Sequence, residues 1–90
     1  MSCKVVIAEA FRLAAGGVEE VESEGNTIGE CLREAVARAP ALQKVWFNAD
    51  GALSKYLILT VNGENVPPRA LDRPVAAGDE IYPVLLIGGG

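Results

Sequence analysis

Three glycines, Gly88-Gly89-Gly90, follow the apolar run Ile81 to Ile87 and carry the terminal α-carboxylate. Glycine has no Cβ, so such a segment forms a thin rod that threads a narrow channel and leaves its carbonyl carbon open to attack from any side. The chemistry this permits is attack at the terminal carbonyl carbon of Gly90. A frayed end accounts for the same residues, because termini are commonly disordered. The other residue types must decide between the two.

They do so mainly by exclusion. The chain has no histidine, which removes His-based zinc sites, Ser-His triads and Cys-His dyads from its own repertoire. Cys3 and Cys31 are isolated and form no C-x-x-C pair. A disulfide between them stays open on sequence grounds, but two lone cysteines read more readily as free thiols in a reducing, cytoplasmic setting. Cys31 falls on the apolar stripe of a helix and reads as a core thiol, with nothing near it in sequence to lower its pKa. No catalytic residue cluster and no metal site emerge, so an enzyme is not expected.

Charge narrows the partners. Twelve acidic and eight basic residues give a net charge of −4. The cations are scattered rather than clustered on a basic face, which argues against nucleic acid. Val18-Glu19-Glu20-Val21-Glu22-Ser23-Glu24 is an acidic strip that serves either as a solvated strand face or as a docking edge for a basic partner. No apolar stretch approaches the ~20 residues of a membrane span, and no signal sequence is apparent.

The elements that would position Gly90 follow from pattern. Thr27-Ile28-Gly29-Glu30 reads as a capping box, with the Thr27 hydroxyl accepting from the third amide and Glu30 reaching back to the Thr27 amide. Ile28, Cys31, Leu32, Ala35, Val36 and Ala39 then recur at three- and four-residue spacing, and Pro40 ends the helix. Before it, Val5 to Phe11 fits helix or strand, and two short segments around Gly16-Gly17 suggest a hairpin. After it, Pro40 to Phe47 predicts a second helical turn placing Leu42, Val45, Trp46 and Phe47. Tyr56 to Val61 is the best strand, Asn62-Gly63 a tight turn, and Ile81 to Ile87 the last strand. One amphipathic helix needs a sheet to cover it. The expected fold is therefore α+β: a roll with a mixed sheet packed on one main helix, and the last strand well inside the sheet. We expect one domain over residues 1–87 and a flexible glycine tail over 88–90.

In this order the chain resembles the ubiquitin-like β-grasp sulfur carriers: the small subunit of molybdopterin synthase, the thiamine-pathway carrier and the carrier that feeds a cysteine synthase. The resemblance rests on Ala15-Gly16-Gly17, Thr27-Ile28-Gly29-Glu30, Pro40-Ala41-Leu42, Val61-Asn62-Gly63-Glu64-Asn65-Val66, Ala77-Gly78-Asp79-Glu80-Ile81 and Gly89-Gly90. The spacing from Gly78-Asp79-Glu80 to the terminal pair is its specific part. The chain departs from the family in having Leu85-Leu86 where many tails carry proline, and in having Gly88 as a third glycine. The segment Pro40 to Tyr56, together with Gly16-Gly17 and the Asn62-Gly63-Glu64 turn, makes it look most similar to the cysteine-biosynthesis type, with the molybdopterin type second.

The resemblance implies a carrier, not an enzyme. An E1-like partner would use ATP to adenylate the Gly90 carboxylate, and sulfide or a persulfide would displace AMP to leave a thiocarboxylate. A cysteine synthase, molybdopterin synthase large subunit or thiazole synthase would accept the sulfur. The carrier itself would bind no cofactor, Gly88 and Gly89 would thread into the partner, and Phe11, Tyr82 and Leu86 are the candidate docking surface. Two other readings fit the same residues: a protein modifier joined to target lysines through Gly90, and a ubiquitin-like interaction module with an idle tail.

Overall fold

A computed structural model describes residues 2–67 and 70–85. Strand β1 (Cys3–Val6) and strand β2 (Glu20–Ser23) alternate buried and exposed positions, as strands with one face on a core must. They pair antiparallel, with Val5 opposite Val21. The expected hairpin is present, but its connection is long. The ambiguous stretch divides: four residues are strand, and Glu9–Arg12 form helix α1. Gly16 and Gly17, at φ +68° and +90°, then reverse the chain in a conformation that L side chains rarely adopt.

Helix α2 (Ile28–Arg38) lies against β1 and β2 and buries Ile28, Cys31, Leu32 and Ala35 completely. Its cap is half of the expected box. The Glu30 amide donates to Thr27 Oγ1 at 3.2 Å, but Glu30 Oε1 accepts from the Asn26 amide at 2.9 Å rather than from that of Thr27. The loop over residues 71–73 supplies the rest. The Ile28 amide donates to the Arg73 carbonyl at 3.0 Å and the Gly29 amide to the Leu71 carbonyl at 2.8 Å, which satisfies donors every helix start leaves free.

The second helical turn is α3 (Leu42–Trp46); it buries Leu42 and Trp46 and leaves Val45 exposed. Strands β3 (Leu57–Val61), β4 (Glu64–Val66) and β5 (Glu80–Leu85) complete a five-stranded sheet of order β2-β1-β5-β3-β4. Among the described residues only β1 and β5 pair in parallel; the sheet is mixed and β5 is its central strand. The turn into β4 has both central residues at positive φ, Asn62 at +53° and Gly63 at +85°, the geometry that matches the twist of paired strands.

The same turn is fastened to the start of β5. Asn62 Nδ2 donates to Asp79 Oδ1 at 3.0 Å, the Glu80 amide to Asn62 Oδ1 at 2.9 Å, and the Ala76 amide to Asp79 Oδ2 at 2.8 Å. The Ala76 amide, and then the Asn62 amide group, hold the Asp79 carboxyl below its usual range. A depressed carboxyl stabilises the fold above its unfolded pKa of about 4 and loses that contribution as pH falls through its folded value. Asp79→Asn offers only one acceptor oxygen to two donors. We expect it to be less stable than the wild type at neutral pH, with the gap in urea midpoint narrowing steadily below pH about 4.

Candidate functional site

The central strand β5 sets the geometry of the site, because its residues lead directly to the segment 86–90. Gly88, Gly89 and Gly90, with Leu86, lie outside the described residues. The end of the sheet from which β5 departs is defined by register. Leu85 pairs with Leu57, so Tyr56 stands beside the departure point; β1 is parallel to β5, so the turn after β1, with Leu13, is at the same end. All three are exposed, Leu13 to 94%, Tyr56 to 57% and Leu85 to 42%. Lys55 places its ammonium 5.3 Å from the centre of the Tyr56 ring and adds a cation at this end.

Tyr82 is exposed, as a docking residue must be. It lies opposite Thr60, whose hydroxyl donates to the Tyr82 carbonyl at 2.8 Å. Residues directly opposite or two apart share a face. The outer face of the sheet therefore carries Ile58, Tyr82 and Val84 together, and Val6 on β1 belongs to it too. Lys4, Glu20, Glu22 and Glu80 border this apolar strip, with Lys4 Nζ 3.8 Å from Glu20 Oε2. The acidic segment thus stands on the solvent side of an edge strand, with Val21 and Ser23 turned inward.

Phe11 does not belong to this surface. It is 3% exposed and meets the Trp46 ring edge-on, with centroids 6.0 Å apart and an interplanar angle of 89°. The cause is α1: its single turn rotates Phe11 under the sheet while Glu9 and Ala10 face solvent. Of the candidate docking residues, Tyr82 is placed at the surface, Phe11 is removed to the core, and Leu86 lies outside the described residues. Sequence reasoning passed over Val6, Ile58 and Val84. The signal was present in Leu57-Ile58-Leu59-Thr60-Val61, which is nearly continuous in apolar character where a strand with one solvated face should alternate.

Among the described residues, no group of three or more His, Cys, Asp or Glu residues is arranged to hold a metal ion, and no helix is long and apolar enough to cross a membrane.

Residues 5–90 match the ThiS family, a span that includes the three terminal glycines. Small archaeal modifier protein 1 of Haloferax volcanii is 31% identical over 86 residues, covering 94% of this chain and 95% of its own length. The crystal structure of that protein superposes with a TM-score of 0.86 at 28% identity over all of both chains. A chain of the BexX/CysO complex of Amycolatopsis orientalis superposes with a TM-score of 0.84 at 25% identity, covering 98% of this chain and 99% of its own.

Proposed function

The chain belongs to the ThiS family, and from that premise we propose that it is a sulfur carrier whose working atom is carried on Gly90. It is a small ubiquitin-like protein of the carrier and modifier type, and its relatives are not enzymes. A terminal carboxylate, with an ordinary pKa near 3.5, is ionised at neutral pH and is a weak nucleophile. It attacks the α-phosphate of ATP only where a second protein neutralises the phosphate charge and aligns the two groups. An E1-like adenylating partner supplies that environment. The carboxylate oxygen bonds to the α-phosphorus and pyrophosphate leaves; sulfide then attacks the acyl carbon and AMP leaves, or a persulfide does so and a thiol cleaves the resulting acyl disulfide, ending in a disulfide with the persulfide's donor. The product is a thiocarboxylate at Gly90, whose sulfur is delivered to a synthase of the cysteine, molybdopterin or thiazole type, the cysteine type being the first choice. ATP is bound by the partner and not by the carrier.

One observation carries this reading: the family match extends over residues 5–90 and so includes Gly90, and the central strand of the fold, ending at Leu85, immediately precedes that segment in the chain. Gly88 and Gly89 thread the partner's channel. Ordering such a tail costs on the order of 1–2 kcal/mol per residue, which docking of the folded body must offset. The apolar strip around Tyr82, with its acidic border, is the docking surface. Tyr82→Arg is expected to change the melting temperature little, because the side chain lies on the outer face of the sheet and is 40% exposed, and to raise the KM of the adenylating partner for the carrier at least about tenfold, the loss typical of an interface anchor. An unchanged KM would remove this face from the interface.

The second reading, a protein modifier, is favoured by a specific relative, the Haloferax small archaeal modifier protein. Intact-mass spectra of protein from its own cells separate the two. A species in which one terminal oxygen is replaced by sulfur supports the carrier. High-mass conjugates through Gly90, without that species, support the modifier.

A further inference from the structure

We propose that Cys3 and Cys31 form a redox-sensitive cross-link site, closed by a small peroxide into a disulfide that staples β1 to α2. The inference does not rest on the carrier reading. The two sulfurs face each other at 2.9 Å across the interface between the sheet and the main helix. Both thiols are free, and both side chains are buried, Cys3 to 4% exposure and Cys31 to 0%. Bonding distance is therefore reached by a sub-ångström approach of side chains that neighbouring elements already hold in place. The Cys31 thiol also lies within weak hydrogen-bond reach of the Gly25 carbonyl, to which it donates at 3.8 Å.

Cys3 lines two depressions. One of about 20 Å³ is shared with Ser2, Gly25, Asn26, Val75, Ala76 and Ala77, and one of about 190 Å³ with Lys4, Glu22, Gly78, Asp79 and Glu80. Even the smaller admits about one water-sized molecule, so a small peroxide is an oxidant of fitting size. Burial, and the Cys31 thiol beside it, push the Cys3 thiol up to about 12, with Asp79 and Glu34 adding to the shift. The reduced pair is therefore slow to react at neutral pH, and the reaction accelerates in mildly alkaline solution.

The balance is simple. The Cys3 sulfur attacks one peroxide oxygen, the O–O bond breaks, and Cys3 becomes a sulfenic acid as the first water leaves. The Cys31 sulfur then attacks the Cys3 sulfur, the S–O bond breaks, and the hydroxyl departs with the Cys31 proton as a second water. The pair loses two electrons and two protons, and hydrogen peroxide is reduced to two waters. The link closes a loop between residues 28 apart. It lies at the end of the sheet opposite the tail, level with Asp79 on the register that pairs Lys4 with Glu80. That is roughly 20 Å along β5 from Leu85.

The test uses the full chain, treated with hydrogen peroxide in mildly alkaline buffer and compared with protein kept in a thiol reductant. The expected result is the loss of two hydrogen masses per chain, a Cys3–Cys31 linked peptide in the non-reducing digest, and a melting temperature raised by on the order of 10–20 °C that reverts on reduction. Cys3→Ser and Cys31→Ser should each show neither the link nor the shift. Sulfinic acid on either cysteine without linkage, linkage between chains, or a linked protein that melts no higher than the reduced one would overturn the proposal.

Discussion

Deletion of Gly90 is expected to abolish adenylation of the carrier by its activating partner while leaving its unfolding curve unchanged. The carboxylate would then sit on Gly89, withdrawn by about 3.5 Å along an extended chain. A displacement of about 1 Å from the productive alignment already costs on the order of 100-fold in rate, so ATP–pyrophosphate exchange should fall by at least that factor. Among the described residues the core cluster spans Cys3 to Ile81, with Pro83 also fully buried, and Gly90 has no side chain to add to it. A preserved melting temperature beside lost exchange is the signature of a reactive terminus. Loss of both together would mean that the tail is part of the fold.

The other large effect is structural. Phe11→Ala is expected to destabilise the protein by about 3–5 kcal/mol, measured as a lower urea midpoint, because it removes an aromatic ring from the centre of a packed core. Against a total of about 5–15 kcal/mol for a small domain, the variant stands close to unfolding. Trp46 sharpens the expectation. It is fully buried, its edge-on contact with Phe11 is lost, and its indole N–H has no acceptor among the described residues, so it has no compensating bond to hold it. Were Phe11 a docking residue, the substitution would weaken partner binding with little change in stability. Tyr82→Arg should show the opposite pair of effects, so the two variants together assign each aromatic to core or surface.

Helix α2 was legible from sequence because three independent signals agreed: a hydroxyl cap, a stripe of apolar positions at helical spacing, and a proline stop. The central place of β5 was legible from its apolar run, and the Asn62-Gly63 turn from two residues that tolerate positive φ. What escaped was short or set by tertiary contact. Helix α1 has four residues, too few for a periodicity to show. Strand β4 has three, two of them Glu64 and Asn65, which are poor strand formers, and it exists because β3 offers it a register. Glu30 caps Asn26 rather than Thr27 because neighbouring helix amides already find carbonyls in the 71–73 loop, which no local pattern reveals. The same limit explains Phe11. An aromatic in a stretch that fits helix or strand has no assigned face until the chain chooses, and here it chooses helix.

The acidic segment shows a different kind of limit. Within the acidic segment Glu20 to Ser23 alternates as a half-buried strand, which is a local property, and its solvent-facing glutamates follow. That Lys4 stands across from them, and that Tyr82, Ile58 and Val84 form an apolar strip beside them, depends on the pairing of β1 with both β2 and β5. Recognition surfaces on sheets are assembled from strands distant in sequence, and spacing along one strand gives half of the surface at most.

The most direct measurement is made on the purified carrier incubated with its activating enzyme, sulfide and, in one arm only, ATP, then treated with a thiol-reactive alkylating reagent. Tandem mass spectra locate the tag. With ATP the alkyl group should appear on the terminal thioacid of Gly90, and without ATP that position should stay unmodified. Tagging confined to Cys3 or Cys31 in both arms, with an ordinary carboxylate on Gly90 throughout, would contradict the claim that this protein carries sulfur on its last residue.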